Sequence, residues 1–150
     1  MIDLKHLGAY RESNRIEAKK ALGGLPESLW ETYSAFANTL GGVILLGVGE
    51  GKEDRALYAV DLPEPTALLR QFWEIVSDPA QVSVNLLTDE NVYWTEIDGK
   101  DIIVIEVPPA PRDLRPVFIG NDPYQGSYER IGDGDYRIPR ETVEQMLKNR

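Results

Sequence analysis

Ser34-Ala35-Phe36-Ala37-Asn38-Thr39-Leu40-Gly41-Gly42-Val43-Ile44-Leu45-Leu46-Gly47-Val48 is the stretch whose reading decides the architecture. Its first part ends a helix predicted over about 27–38, in which Trp30, Tyr33, Ser34 and Ala37 follow helical spacing. Pro26 suits a first helical position, and Glu27 and Glu31 lie near the positive end of the helix dipole. Asn38 to Gly42 is a stop, because glycine accepts the positive φ with which helices commonly end. Val43 to Val48 then runs apolar without interruption, the pattern of a central strand covered on both faces. A helix feeding a doubly covered strand implies helices layered on a sheet.

Upstream, Arg15 to Lys20 alternates, with Ile16 and Ala18 on one face and Glu17 and Lys19 on the other. That is the period of a half-buried strand, ended by Gly23, Gly24 and Pro26. Downstream, Pro63 to Val76 reads as a second helix with Leu68, Leu69, Phe72, Trp73 and Val76 as its apolar stripe. Val82 to Leu87 reads as a strand, and 92–97 with 101–107 as a hairpin turning at Asp98-Gly99. Pro108, Pro109 and Pro111 stop that hairpin, and Val117 to Ile119 is a further short strand. Residues 128–131 and 136–138 flank Gly132-Asp133-Gly134-Asp135, and 140–148 forms a terminal helix. The order predicts one α+β domain over 1–150, a single mixed β-sheet with about three packed helices. Trp30, Trp73 and Trp94 each sit on an amphipathic element and are expected in the core.

Composition excludes several classes of function. Hydrophobic residues make up 42% and charged residues 27% of the chain, a globular balance. No apolar run approaches the ~20 residues of a membrane span, and the N-terminus lacks a signal-type apolar core, so a cytoplasmic protein is expected. The absence of cysteine removes disulfides and thiolate chemistry, and a lone His6, expected at the surface, removes multi-histidine zinc sites. Any metal would be a hard cation on carboxylates. Gly47 to Lys52 is glycine-rich after a strand, but Leu46 stands where a P-loop needs glycine and Glu53 where it needs Ser or Thr. Asp133 and Asp135 lack the spacing of a calcium loop and read as a solvated turn.

The net charge of -9 is uneven. Residues 1–20 carry five Lys or Arg against three acids, whereas 21–100 carry four against thirteen. An anionic partner would therefore meet the N-terminal segment or the arginines near the C-terminus. Within that segment Glu17 and Lys19 share a strand face, and Ser13-Asn14 favours a turn that brings Glu12 back towards Glu17. The strand ending at Val48 can deliver Glu50 to the same sheet end. Three carboxylates and a lysine there could hold Mg²⁺ or Mn²⁺ and orient a water, or else form a solvated, salt-bridged face.

Glu12-Ser13-Asn14-Arg15-Ile16-Glu17-Ala18-Lys19, the run from Ser34 to Val48, and Tyr128-Glu129-Arg130-Ile131-Gly132 together resemble the Schlafen AlbA-type (divergent AAA-4) domain over about residues 10–148. The resemblance implies an AlbA-like fold and a nucleic-acid-associated domain, the N-terminal module of a longer bacterial transcriptional regulator or RNA-handling protein. In related animal domains two glutamates five apart and a later aspartate make a metal-dependent endoribonuclease. Glu12 and Glu17 match the first two, and Glu50 stands near the third. This sequence carries Ala18 where the family has a bulky Phe. Expected nucleic-acid contacts are Arg11, Arg15, Lys19, Lys20, Asn38 and Arg130, although Asn38 also reads as a helix stop. Arg130, Arg137 and Arg140 have surface salt bridges to Glu129, Asp133 and Glu141 as their alternative. A protein-interaction or homo-oligomerising module is the remaining alternative.

Overall fold

The computed structural model describes residues 2–150. Helix α1 (Ser28–Ala37) buries Leu29, Tyr33, Phe36 and Ala37, and its end is set by two glycines. Gly41 takes φ 76° and donates its N–H back to the Phe36 carbonyl at 2.8 Å, closing the last turn. Gly42 has no room for a side chain, since a Cβ would lie 2.8 Å from the Phe36 ring. The chain therefore leaves α1 straight into strand β2 (Gly42–Leu46), under the helix it has just completed. Arg115 covers the exit by donating to the Asn38 and Thr39 carbonyls, each at 3.0 Å.

Strand β1 (Ile16–Lys19) runs parallel to β2, with Ile16 opposite Val43. Strands β5 (Val92–Ile97) and β6 (Lys100–Val107) form the expected hairpin. Its turn residues Asp98 and Gly99 have φ 51° and 77°, as a two-residue primed turn requires. The main sheet is mixed, in the order β1-β2-β6-β5. One face packs Ile44, Leu46, Ile103 and Ile105 against α1 and against Leu68, Phe72 and Val76 of helix α2 (Pro65–Val76). The other packs Leu45, Ile102 and Val104 under Ile2, Leu7 and Leu57. Coverage on both sides is why the central strand reads as unbroken hydrophobic sequence.

The remaining strands pair outside that sheet. Strands β3 (Val48–Glu50) and β4 (Leu57–Ala59) make one antiparallel ladder. Strands β7 (Tyr128–Ile131) and β8 (Gly134–Arg137) make a hairpin that packs on α1. A single turn, α3 (Pro123–Gly126), and the terminal helix α4 (Arg140–Lys148) complete the α+β fold.

Three expectations are corrected. Residues 82–87 form no strand beyond a Val82–Ile119 bridge, because the Tyr33 hydroxyl takes their backbone groups, donating to the Val84 carbonyl and accepting from the Leu86 N–H, each at 2.9 Å. Residues 117–119 form isolated bridges only, with Val117 bonded to the Asn38 side chain instead of a ladder. Trp94 is 49% exposed and donates its indole N–H to Asp101 at 3.0 Å, so it is not core. Among the described residues no helix is long and apolar enough to cross a membrane.

Candidate functional site

Strand β1 lies at the edge of the main sheet, and an edge strand leaves half its backbone groups without a ladder partner. The Arg15 and Lys19 carbonyls point inward, accepting from Val43 and Gly47. The backbone groups of Ile16 and Ala18 therefore face outward, where the Ile16 carbonyl accepts from the Ser13 N–H and from Arg130, and the Ala18 N–H donates to Glu12. The chain bends through Asn14 so that Ser13 bridges to Ile16, its N–H donating to the Ile16 carbonyl at 3.0 Å. The bend carries Glu12 back along the strand, where its Oε2 accepts the Ala18 N–H at 2.9 Å.

Glu17 projects from the opposite side of β1 to Ile16 and Ala18, towards α1 and the β7–β8 hairpin. There it meets Arg130, whose side chain is only 1% exposed, at 2.9 Å. The same guanidinium reaches Asp135 at 2.7 Å, donates to the Ser13 and Ile16 carbonyls at 2.8 and 3.1 Å, and lies 4.8 Å from the centre of the Phe36 ring. Asp135 is further held by the Thr32 hydroxyl at 2.6 Å. Lys19, 10% exposed, stands 3.7 Å from the second Glu17 oxygen and donates to the Ser28 hydroxyl at 3.0 Å. One buried arginine thus ties the edge of β1 and the face of α1 to a hairpin that lies 113 residues beyond Glu17 in the sequence.

Glu12 and Glu17 are close enough to share a hydrogen bond, and the Glu50 charge also acts on Glu12. Burial, then the Glu17 carboxylate, push the Glu12 carboxyl up to about 7, against the Ala18 N–H that lowers it. Near neutral pH Glu12 therefore carries a proton much of the time, which relieves the repulsion of two neighbouring carboxylates. At the end of β3, Glu50 has one oxygen 3.5 Å from Arg55, while its Oε2 is buried without a hydrogen-bond partner among the described residues. Arg55 also reaches Asp133 at 3.2 Å.

The sequence-derived site residues thus separate. Glu12, Glu17, Lys19 and Glu50 come together at one end of the sheet. Arg11, Arg15 and Lys20 are exposed, and Arg11 donates to the Gly8 and Tyr10 carbonyls at 2.9 Å. Arg130 and Asn38 are buried and have no surface to offer a phosphate. Asn38 accepts the Val117 N–H at 2.8 Å and donates to the Val117 and Tyr128 carbonyls at 2.9 and 3.0 Å, so it clamps a loop. The partners expected for Arg130 at the surface are replaced by Glu17 and Asp135. Arg137 donates to the Gln125 carbonyl at 3.1 Å, and Arg140 packs over the Tyr124 ring at 3.9 Å and pairs with Glu144 at 3.8 Å. Asp135, expected in a solvated turn, is instead paired with Arg130 at 2.7 Å. Its place opposite Arg130 in the β7–β8 register is the signal that identifies it.

The divalent cation that the resemblance implies would need several free carboxylate oxygens at this sheet end. Among the described residues no group of three or more His, Cys, Asp or Glu side chains is arranged to hold a metal ion. Both Glu17 oxygens face protein cations, and one Glu12 oxygen is committed to a backbone amide. As folded, the trio does not fit Mg²⁺ or Mn²⁺.

The family model for Schlafen, AlbA_2 matches residues 12–139, from Glu12 to the segment just past the Arg130 hairpin. The N-terminal domain of a Nitrosomonas europaea protein, named as related to the ATP-dependent DNA helicase RecG, has a solution structure 33% identical to this chain. The match covers 90% of each chain, with a TM-score of 0.62. A longer crystal structure from Corynebacterium diphtheriae is 20% identical, matched over 90% of this chain and 24% of that one with a TM-score of 0.55, a likeness of fold alone. No curated protein matches the sequence. With its motifs meeting at one buried arginine and the family model spanning most of its length, the chain belongs to the Schlafen AlbA_2 family.

Proposed function

We propose that the chain binds nucleic acid through the cations that border β1, as a module of a cytoplasmic regulator or RNA-handling protein. The observation that carries this reading is that Arg11, Arg15 and Lys20 are exposed and have no carboxylate within ion-pair distance among the described residues. Lys19, Arg55, Arg130 and Arg140 are paired with acids, and other unpaired cations such as Lys52, Arg70 and Arg112 lie in segments where acids outnumber basic residues, whereas residues 1–20 carry more basic residues than acids. Unpaired basic side chains on an otherwise acidic protein are the feature that a polyanion selects. Family membership and the helicase-related name of the Nitrosomonas protein support the same reading.

Binding without cleavage is the form the ion pairs favour, because Arg130 and Lys19 would have to release Glu17 before it could serve a metal. Fluorescence anisotropy with labelled DNA and RNA at low ionic strength tests both points. Wild-type protein should bind, and Arg11→Ala/Arg15→Ala/Lys20→Ala should weaken binding at least about tenfold. The probe should stay intact in Mg²⁺ or Mn²⁺. Failure of every probe to bind at low salt would end the reading. Cleavage lost in Glu17→Gln would replace it with a nuclease.

A further inference from the structure

Tyr58 stands in the middle of β4 with Leu57 turned into the core and its own ring turned out, 43% exposed. Directly across the ladder is Gly49. A Cβ at Gly49 would lie 2.9 Å from the Lys20 Cε and 2.9 Å from the Tyr58 Cζ and Oη. The missing side chain is what lets the lysine stem and the phenol ring close over the strand. The Tyr58 hydroxyl has no hydrogen-bond partner among the described residues.

Beside the ring opens a groove of about 430 Å³, with Lys5, His6, Leu57, Tyr58, Asp98 and Lys100 in its lining. His6 is held by Asp3 at 2.7 Å. Asp98 is the acid that lines the groove. Lys5, Lys20 and Lys100 have no ion-pair partner among the described residues. The exposed Tyr58 side chain thus has the Lys20 stem beside it over Gly49, and Lys5 and Lys100 in the lining of the adjoining groove.

From this arrangement we infer that Tyr58 is a stacking platform for an unpaired base of a single-stranded nucleic acid, with Lys5, Lys20 and Lys100 meeting the neighbouring phosphates. The inference rests on the nucleic-acid reading above and names its substrate class. Single-strand binders combine a basic groove with aromatic faces on which bases stack, and a duplex keeps its base faces occupied by one another.

The test uses the full chain with single-stranded DNA, single-stranded RNA and duplex probes of matched length, each carrying 2-aminopurine. Wild-type protein should bind a single strand more tightly than the duplex and quench the 2-aminopurine. Tyr58→Ala should lose the quench and weaken single-strand binding about tenfold, while Tyr58→Phe keeps both. The DNA and RNA arms show which sugar the groove prefers. Equal single-strand affinity in Tyr58→Ala, or no quench by wild-type protein, would overturn the platform and leave the cationic reading standing. An equal loss on the duplex would overturn it too. No binding of any probe by wild-type protein would remove the reading on which it depends.

Discussion

Glu12 does two things with one side chain. Its Oε2 satisfies the Ala18 N–H on the open edge of β1, and its proton relieves repulsion with Glu17. The carboxyl is held at about 7, against 4.5 for an unperturbed glutamate, so between those values the folded protein binds a proton that the unfolded chain has released. The resulting stabilisation is fully present below about pH 4.5 and is lost as pH rises through about 7. Glutamine keeps an oxygen for Ala18 and presents an amide donor to Glu17 at every pH. Glu12→Gln should therefore match wild type near pH 5 and exceed it near pH 8. For a half-buried group, solvent screening reduces the expected gain to about 1 kcal/mol. Thermal melts across this range check the crossover, and parallel curves for the two proteins would show that Glu12 does not titrate there. The Ser13-Asn14 bend was legible because both residue types favour turns. The protonation was not, because it depends on burial and on the nearness of Glu17 and Glu50, which only the folded chain supplies.

The elements meet through Arg130, which joins the edge of β1, the face of α1 and the β7–β8 hairpin. Removing one member of a buried charge cluster leaves the others desolvated and unpaired, at about 3–5 kcal/mol. Arg130→Met should lower the unfolding free energy obtained from urea melts by that amount and strip hydrogen-exchange protection from residues 13–19 and 128–137 before the main sheet is affected. Arg130→Lys should recover only part of the loss, since an ammonium cannot serve two carboxylates and two carbonyls in the fork geometry of a guanidinium. A lysine variant as stable as wild type would mean that charge alone matters there. Periodicity and turn chemistry made α1, α2, β1, β2 and the β5–β6 hairpin readable. Residues 82–87 and 117–119 look like strands yet are not, because Tyr33 and Asn38 take over their backbone hydrogen bonds from positions 51 and 79 residues away. Local propensity carries no information about such contacts. The Glu17–Arg130 pair, separated by 113 residues, was illegible for the same reason.

At the scale of the whole molecule, a protein of net charge -9 can hold a polyanion only if its cations are gathered and its acids face elsewhere or are neutralised. Much of the acidity near β1 is neutralised within the fold, Glu17 and Asp135 by Arg130 and Glu50 by Arg55. Of the exposed cations without an ion pair among the described residues, Arg11, Arg15 and Lys20 border β1 and Lys5 and Lys100 line the Tyr58 groove, while Lys52, Arg70, Arg112 and Lys148 lie in other segments. Salt dependence counts how many of them meet phosphate, because each contact to a single strand contributes about -0.7 to the slope of log K against log salt. The β1 group alone predicts a slope of about -2, and both groups together about -3.5. Lys5→Ala/Lys100→Ala should move the single-strand slope from the second value to the first, without altering thermal stability, since neither side chain forms an ion pair among the described residues. A wild-type slope near -2 that this variant leaves unchanged would confine the polyanion to β1. A slope near zero would mean that the acidic remainder of the surface outweighs both groups.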